Sequence, residues 1–201
     1  MNWLKRRALA LASLSLMAGL LVGSAGVTAQ ATPEAVSIES PVVDAAGAEV
    51  GTLYVYESDF GVTLTVLLEA GTLEPGAHGV HLHEIGSCDP SGDSTFALAG
   101  AHFNPTNQLH GAPNLATSHA GDLGNLTVTE DGSAMFSITL SDITLASGVE
   151  GSLMDADGAV LLIHAGEDDL TTDPSGESGE RLLCSMISAS TVGTTVATPA
   201  A

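Results

Sequence analysis

Basic residues are almost missing from this sequence. Lysine and arginine together number four, against 24 aspartates and glutamates. Three of the four, Lys5, Arg6 and Arg7, stand at the N-terminus, and Arg181 is the only basic residue after them. A chain with so little positive charge lacks the surface that attracts phosphate backbones and anionic lipids. We therefore expect no nucleic-acid partner and no binding to anionic membrane surfaces.

The sequence also lacks a long apolar run. Its most apolar stretch, residues 8–22, has about fifteen residues, whereas a membrane-spanning helix needs about 20. This stretch follows the basic Lys5–Arg7 and precedes the small residues Val27–Ala29, which is the pattern of a secretory signal peptide. We predict a signal peptide over residues 1–29 and an exported protein, located in a periplasm, a cell envelope or the medium, with no membrane contact after cleavage. A retained N-terminal anchor is the alternative.

The chain beyond residue 29 is the size of one domain. Its length of about 170 residues suffices for one sizeable core and is too short for two ordinary domains. We predict a linker at 30–35, a folded domain at 36–189 and a disordered, Thr/Ala/Pro-rich tail at 190–201. With one basic residue against 24 acidic ones, the formal charge of this part is −23.

Helical periodicity is missing as well, since no segment repeats apolar residues at 3.6-residue spacing over three turns. Short runs alternate apolar and polar residues instead, as in Val62–Leu68. About eight such runs are separated by turn sequences such as EDGS and DADG. The pattern predicts an all-β domain, a sandwich or flattened barrel, with two long functional loops at Gly86–Gly121 and Ala165–Glu180.

Cysteine is scarce, with only Cys88 and Cys184 in the chain. In an exported protein a disulfide between two such cysteines is the default expectation. Free thiols or a metal-binding role are the alternatives.

Histidine is the residue type with an informative distribution, because all seven histidines lie between positions 78 and 164. On a strand, His81 and His83 would project from the same face. The Pro-, Asn- and Gly-rich segment 102–122 resembles a loop that can wrap a cation. The candidate donors are His81, His83, His102, His110, His119, Asp122 and His164.

A single histidine in a β-protein is more often packed or solvated than a ligand. Seven clustered donors, however, exceed the needs of one tetrahedral zinc and suit two adjacent metal ions, and a histidine-only subset suits copper.

These residues lie in sequence motifs that closely resemble one family. The motifs GAHGVHLHEIGSC, GAHFNP, HGAP, SHAGDLGN, LLIHAGEDDL and GERLLC occur in this order. Together they resemble the copper/zinc superoxide dismutases, over about Thr52–Ser188. The spacing from Cys88 to His102 is longer than in the common eukaryotic form and is similar to that of bacterial exported members. The resemblance implies an eight-stranded Greek-key β-sandwich or flattened barrel.

The resemblance also implies roles for single residues. It makes His81, His83, His102 and His164 the copper ligands, and His102, His110, His119 and Asp122 the zinc ligands, with a deprotonated His102 bridging both metals. Asp168 matches a carboxylate that links His81 to His110. Arg181 matches the arginine that guides the anionic substrate, and His78 matches a framework histidine that is not a ligand. His102 and Arg181 are thus the expected catalytic residues.

The function that the resemblance implies is dismutation of superoxide to oxygen and hydrogen peroxide, by a redox-cycling copper beside a structural zinc. An exported protein that stores or delivers copper or zinc, with low dismutase activity, is the alternative. The expected assembly is a monomer or a homodimer. One departure from the family concerns capture of the substrate: the segment Gly166–Glu180, where relatives usually carry lysines, has none and is acidic.

Overall fold

The computed structural model of the protein describes residues 37–188, which form eight β-strands. The strands are β1 Ser37–Asp44, β2 Glu49–Ser58, β3 Gly61–Leu68, β4 Gly76–His83, β5 Asp122–Val128, β6 Ala134–Leu140, β7 Ala159–His164 and β8 Arg181–Ile187. The predicted signal peptide, linker and tail lie outside the described residues. Within residues 37–188, no helix is long and apolar enough to cross a membrane.

All strand pairs are antiparallel, in the order β5-β4-β7-β8-β1-β2-β3-β6. The strands at the two ends of this order, β5 and β6, contact each other, so the sheet curls into a flattened barrel. Neighbours such as β3 and β6 are not consecutive in the chain, as in Greek-key folds. The predicted all-β fold is therefore confirmed.

Alternation of side chains builds the core. On β3, the apolar Val62, Leu64, Val66 and Leu68 face the barrel interior and are buried, while the residues between them point outwards. Strand β7 differs, because all of its residues are buried on both faces. Its inner face belongs to the main core, and its outer face is covered by the long loops.

The two predicted long loops connect β4 to β5 and β7 to β8. Their only helical element is a 3-10 turn at Ala97–Ala99. The disulfide predicted between Cys88 and Cys184 is present, with the two Cα atoms 5.6 Å apart, and it attaches the first loop to β8. A third long connection, residues 141–158, was not singled out from the sequence; Glu57 holds it by accepting hydrogen bonds from Thr144 Oγ1 (2.5 Å) and the Leu145 N–H (3.1 Å).

Two irregularities in strand register lie beside the histidines. One occurs where β4 pairs with β5, between Gly79 and His81, and the other where β7 pairs with β8, between Ile163 and His164. In both pairs the extra residue is on the second strand, β5 or β8. Such irregularities bend the strand that carries the extra residue, so the bends fall next to Asp122 on β5 and Arg181 on β8.

Candidate metal centre

Strands β4 and β7 present histidines on the outer face of the barrel wall. His81 pairs with Leu162 and His83 with Val160, so these four side chains share one face. His164 follows Leu162 by two positions and continues that face at the end of β7. Three imidazoles are thereby carried by rigid, hydrogen-bonded backbone.

The first loop brings His102 to this face. The loop backbone packs on β4 at Leu82 through two hydrogen bonds of 2.8 Å. The Phe103 N–H donates to the Leu82 carbonyl, and the Leu82 N–H donates to the Gly121 carbonyl. The Gly121 N–H in turn donates to the Phe103 carbonyl at 2.8 Å. A side chain at Gly121 would collide with the backbone of Leu82 and Phe103, so a glycine is required for this close approach.

Four buried imidazole nitrogens form a first cluster. They are His81 Nδ1, His83 Nε2, His102 Nε2 and His164 Nε2, and none has a hydrogen-bond partner within the described residues. These four histidines each offer a nitrogen within 4.8 Å of the others. Unpartnered nitrogens at a shared position are costly in a folded protein unless a ligand takes them.

The other nitrogen of each strand histidine is already occupied. His81 Nε2 lies 2.8 Å from Asp168 Oδ2, His83 Nδ1 lies 3.0 Å from the Gly100 carbonyl and His164 Nδ1 lies 3.1 Å from the Gly179 carbonyl. Since a carbonyl or carboxylate oxygen can only accept, the proton of each neutral ring is on this outer nitrogen. The inner nitrogen is therefore left with a lone pair.

A second cluster surrounds Asp122. The Nδ1 atoms of His102, His110 and His119 lie 2.9, 3.0 and 3.2 Å from Asp122 Oδ1. The other carboxylate oxygen accepts from the Gly111 N–H at 2.8 Å and from the His119 N–H at 3.1 Å. Asp122 is fully buried, so the loop closes three imidazoles around an anionic oxygen.

His102 belongs to both clusters. Its Nε2 is one of the four unpartnered nitrogens, and its Nδ1 faces Asp122. The His81 ring also lies near the second cluster, with its centroid 4.0 Å from that of His102. The two nitrogens of His81 are otherwise committed, however, one to Asp168 and one to the first cluster.

Asp168 links the two clusters from behind. Its Oδ2 faces His81 Nε2 at 2.8 Å and its Oδ1 faces His110 Nε2 at 2.9 Å. The Asn125 side-chain amide holds its backbone, donating to the Asp168 carbonyl and accepting from the Asp168 N–H, both at 2.8 Å. Gly176 packs directly on this carboxylate, where any Cβ would collide with it.

Burial keeps the histidines of the first cluster neutral. It lowers the pKa of His102 to about 4 and of His164 to about 3, and it also lowers the pKa values of His81 and His83. Burial acts to raise the pKa of Asp122, but the hydrogen bonds of His102 and the Gly111 N–H outweigh it and hold that pKa below its usual value. Near neutral pH the imidazoles of the first cluster are therefore neutral and Asp122 is ionised, the forms that bind metals.

A cleft of about 290 Å³ opens onto the first cluster and is lined by His83, His102, His164 and Arg181. Arg181 is half-buried and anchored, because its Nη1 donates to the Phe96 carbonyl and its Nη2 to the Gly100 carbonyl, both at 2.7 Å. Two of its five N–H groups are thus used, and within residues 37–188 no hydrogen-bond partner is found for the other three.

The loop that forms one side of the cleft is acidic. It contributes Pro174, Ser175 and Gly179 to the lining, and its acidic residues outside the lining are exposed: Glu167, Asp169, Asp173, Glu177 and Glu180. Asp173 also contacts the second cluster, accepting from the His110 N–H at 2.9 Å and lying 3.9 Å from His119 Nε2.

The structure thus brings together every donor that the sequence predicted. His78 lies apart from both clusters, buried on β4, with Nδ1 2.8 Å from the His164 carbonyl and Nε2 3.0 Å from the Glu74 carbonyl. Sequence reasoning missed Asn125, Asp173 and Phe96. Only Asp173, followed by a proline in the second loop, carried a signal that could have marked it.

Comparison with known proteins identifies the family. Residues 50–187 match the family model described as copper/zinc superoxide dismutase. The chain is 35% identical over 147 residues to "Superoxide dismutase [Cu-Zn] 1" of Aquifex aeolicus, covering 73% of this chain and 84% of the relative. It is 39% identical over 147 residues to "Superoxide dismutase-like protein YojM" of Bacillus subtilis, covering 73% of each chain. Among solved structures, a double mutant of a SOD-like protein from Bacillus subtilis matches with a TM-score of 0.67 and 37% identity, over 77% of this chain and 97% of that one. The chain belongs to the copper/zinc superoxide dismutase family.

Proposed function

We propose that this protein dismutes superoxide, using copper held by His81, His83, His102 and His164 and zinc held by His102, His110, His119 and Asp122. The observation that carries the proposal is the position of His102, whose two nitrogens face two different donor clusters. A packed histidine would need partners for both nitrogens, and Nε2 has none within the described residues.

The donor chemistry fits these two metals. Four imidazole nitrogens suit copper, which favours nitrogen donors, whereas three imidazoles and one carboxylate form a closed four-ligand set typical of structural zinc. Asp168, bonded to His81 and His110, supports one ligand of each set. Its replacement should therefore disturb both metals rather than one.

Residues around the cleft supply the rest of the chemistry. When bound, copper alternates between two oxidation states, so that one superoxide is oxidised to oxygen and a second is reduced, with two protons, to hydrogen peroxide. Arg181 presents its free N–H groups to the anion beside His83 and His164. His102 would carry a proton on Nε2 only while copper does not hold that nitrogen, and it could then give the proton to the reduced product in the cleft that His102 lines.

The storage or delivery alternative is favoured by one observation, the acidic loop beside the cleft. Superoxide is an anion, and the exposed carboxylates of residues 167–180 repel it. Poor capture with intact metal binding would suit a protein that carries metal rather than one that turns over.

Metal analysis and kinetics on the same sample separate the two functions. We expect one copper and one zinc per chain, and superoxide decay that accelerates in proportion to protein concentration when followed by pulse radiolysis. Arg181→Ala should slow this decay about tenfold without changing metal content, while Glu39→Gln on β1 should change neither. A protein that binds both metals but leaves superoxide decay at the level of the metal-free sample would instead store or deliver metal.

Export is part of the proposal. The basic start, short apolar run and small residues of segment 1–29 support it, as does the disulfide, which persists in oxidising compartments. The single tryptophan, Trp3, precedes the proposed cleavage, so the exported protein should lack tryptophan fluorescence. Its intact mass should begin near Gln30 or Thr32. Recovery of the secreted domain with Trp3 attached would contradict cleavage.

A further inference from the structure

The two carbonyls that anchor Arg181 bracket a single 3-10 turn. Phe96 precedes the turn Ala97–Ala99 and Gly100 follows it. Both flanking residues have left-handed backbone, with φ of 55° at Phe96 and 77° at Gly100. Glycine adopts this conformation freely, whereas phenylalanine does so at a cost. Something must therefore hold the backbone of Phe96 in place.

The Phe96 side chain supplies that hold. It is fully buried, and it belongs to a small apolar cluster separate from the main core, formed by Phe96, Ala99, Val160, Leu162 and Cys184. Val160 and Leu162 lie on the face of β7 that pairs with His83 and His81. The ring is thus seated on the same wall that carries the copper-side histidines.

The disulfide contributes to the same cluster, because Cys184 belongs to it and Cys88 packs against it. Its hold on the turn through the chain is weaker, since residues 89–94, between Cys88 and the turn, are all exposed. Exposed loop backbone transmits position poorly. The buried contact nearest to the Arg181 anchor is therefore the Phe96 ring, while Gly100 ties the same turn to the site because its carbonyl also faces His83 Nδ1 at 3.0 Å.

We propose that Phe96 is a positioning residue for Arg181: its buried ring fixes the turn whose carbonyls orient the guanidinium over the cleft. Phe96 touches neither substrate nor metal in this role, and its effect on anion binding is exerted through its own carbonyl and Arg181. The inference rests on the proposed function of Arg181 in binding the anionic substrate.

A thermodynamic cycle tests the coupling. Affinity for azide, a monovalent anion, is measured by titrating the visible absorption of the copper-loaded protein. Arg181→Ala should weaken azide binding about tenfold. Phe96→Ala should weaken it severalfold in the wild-type background and leave it unchanged in the Arg181→Ala background, because the turn then has no guanidinium to orient. Phe96→Leu, which keeps an apolar side chain in the cluster, should recover most of the affinity.

Controls separate positioning from general loss of stability. Leu161→Ala removes a fully buried side chain of β7 that faces the main core; it should lower the melting temperature at least as much as Phe96→Ala and leave azide affinity unchanged. Side-chain ¹⁵N NMR of the copper(I), zinc-loaded protein gives a second readout. The Arg181 guanidinium signals, identified by their loss in Arg181→Ala, should be separate in the wild type and averaged in Phe96→Ala.

Each failure points to a different error. If Arg181→Ala leaves azide affinity intact, the role proposed for Arg181 in anion binding is wrong. If Arg181→Ala weakens binding but Phe96→Ala does so equally in both backgrounds, or not at all, the positioning role of Phe96 is wrong. Should Phe96→Ala fail to fold, the same cycle is run with Phe96→Val, whose side chain is too small to fill the place of the ring. A loss of azide affinity that is equal in both backgrounds, or guanidinium signals as separate as in the wild type, then overturns the proposal.

Discussion

Ionic strength should reveal how this acidic protein captures an anion. In the proposed function Arg181 would attract superoxide at the cleft, while carboxylates that neighbour the cleft-lining residues in the chain would repel it, chiefly Asp173, Glu177 and Glu180. Salt screens both effects, but it screens the more distant charges more strongly. The sign of the salt dependence therefore reports which set of charges dominates.

The magnitudes can be worked out. A unit charge about 10 Å away repels the anion by about 0.4 kcal/mol in water. Three such carboxylates amount to about 0.9 kcal/mol at 0.01 M salt, where the Debye length is ~30 Å, and to about 0.4 kcal/mol at 0.15 M, where it is ~8 Å. Between these two salt concentrations, the weaker repulsion raises the rate constant by a factor of about 2.5. The weaker attraction to a cation about 5 Å away lowers the rate constant by a factor of about 1.5. We expect the second-order rate constant to stay flat or rise up to about twofold.

Pulse radiolysis across a salt series at fixed pH measures this rate constant. Replacing Glu177 and Glu180 by glutamine should raise the rate about threefold at 0.01 M salt. Glu39→Gln with Glu130→Gln changes the net charge equally, on elements that do not line the cleft, and should change the rate far less. A steep fall with added salt, or equal effects of the two double variants, would refute local repulsion as the control on capture.

Three further predictions concern zinc, the core and acid. His110→Ala should weaken zinc retention while copper stays bound, because His110 directs Nδ1 to the Asp122 cluster and contributes no nitrogen to the first cluster. Equal loss of both metals in elemental analysis would contradict the ligand sets. Ser185 is fully buried with no partner for its hydroxyl within the described residues. Ser185→Ala should therefore leave the free energy of unfolding unchanged or raise it by about 1 kcal/mol. If urea titration shows that the substitution lowers this free energy by more than about 1 kcal/mol, the hydroxyl has a hydrogen-bond partner after all. The metal-free protein should lose stability as pH falls from about 6.5 to about 4. In this range His102 takes up a proton in the unfolded chain but not in the folded protein, where its pKa is about 4. This residue alone should lower the free energy of unfolding by about 3 kcal/mol, and unfolding curves that coincide at pH 7 and pH 4.5 would contradict the prediction.

Strand alternation and motif spacing predicted the fold and the donor residues because both are local. The period of two in Val62–Leu68 determines which face is buried, and it places His81 and His83 on one face. The ligands of the loop could be named because their motifs are short and ordered. The register irregularities at His81 and His164 were not predictable, since a bulge depends on the partner strand.

Residues that support the site were missed for a physical reason. Asn125 holds Asp168 from 43 positions away, and Phe96 faces Arg181 from 85 positions away. Neither has a spacing or a composition that marks it, because its role arises only when two distant segments pack. The third long connection, residues 141–158, was missed for the same reason, because the hydrogen bonds that fix it are accepted by Glu57 on the distant strand β2.

Hydrogen bonds fix both the protons of the strand histidines and the position of the Arg181 charge. Each strand histidine has its outer N–H bound by a carbonyl or by Asp168, so its inner lone pair is set before any metal arrives. One anchor serves both purposes: the Gly100 carbonyl faces His83 Nδ1 and accepts from Arg181 Nη2. Displacing that carbonyl would disturb His83 and Arg181 together. Because Arg181 is the only lysine or arginine beyond position 7, no other such side chain could take over its charge. If the proposed function is correct, the orientation of this one guanidinium determines whether a strongly acidic protein can bind superoxide beside the first cluster.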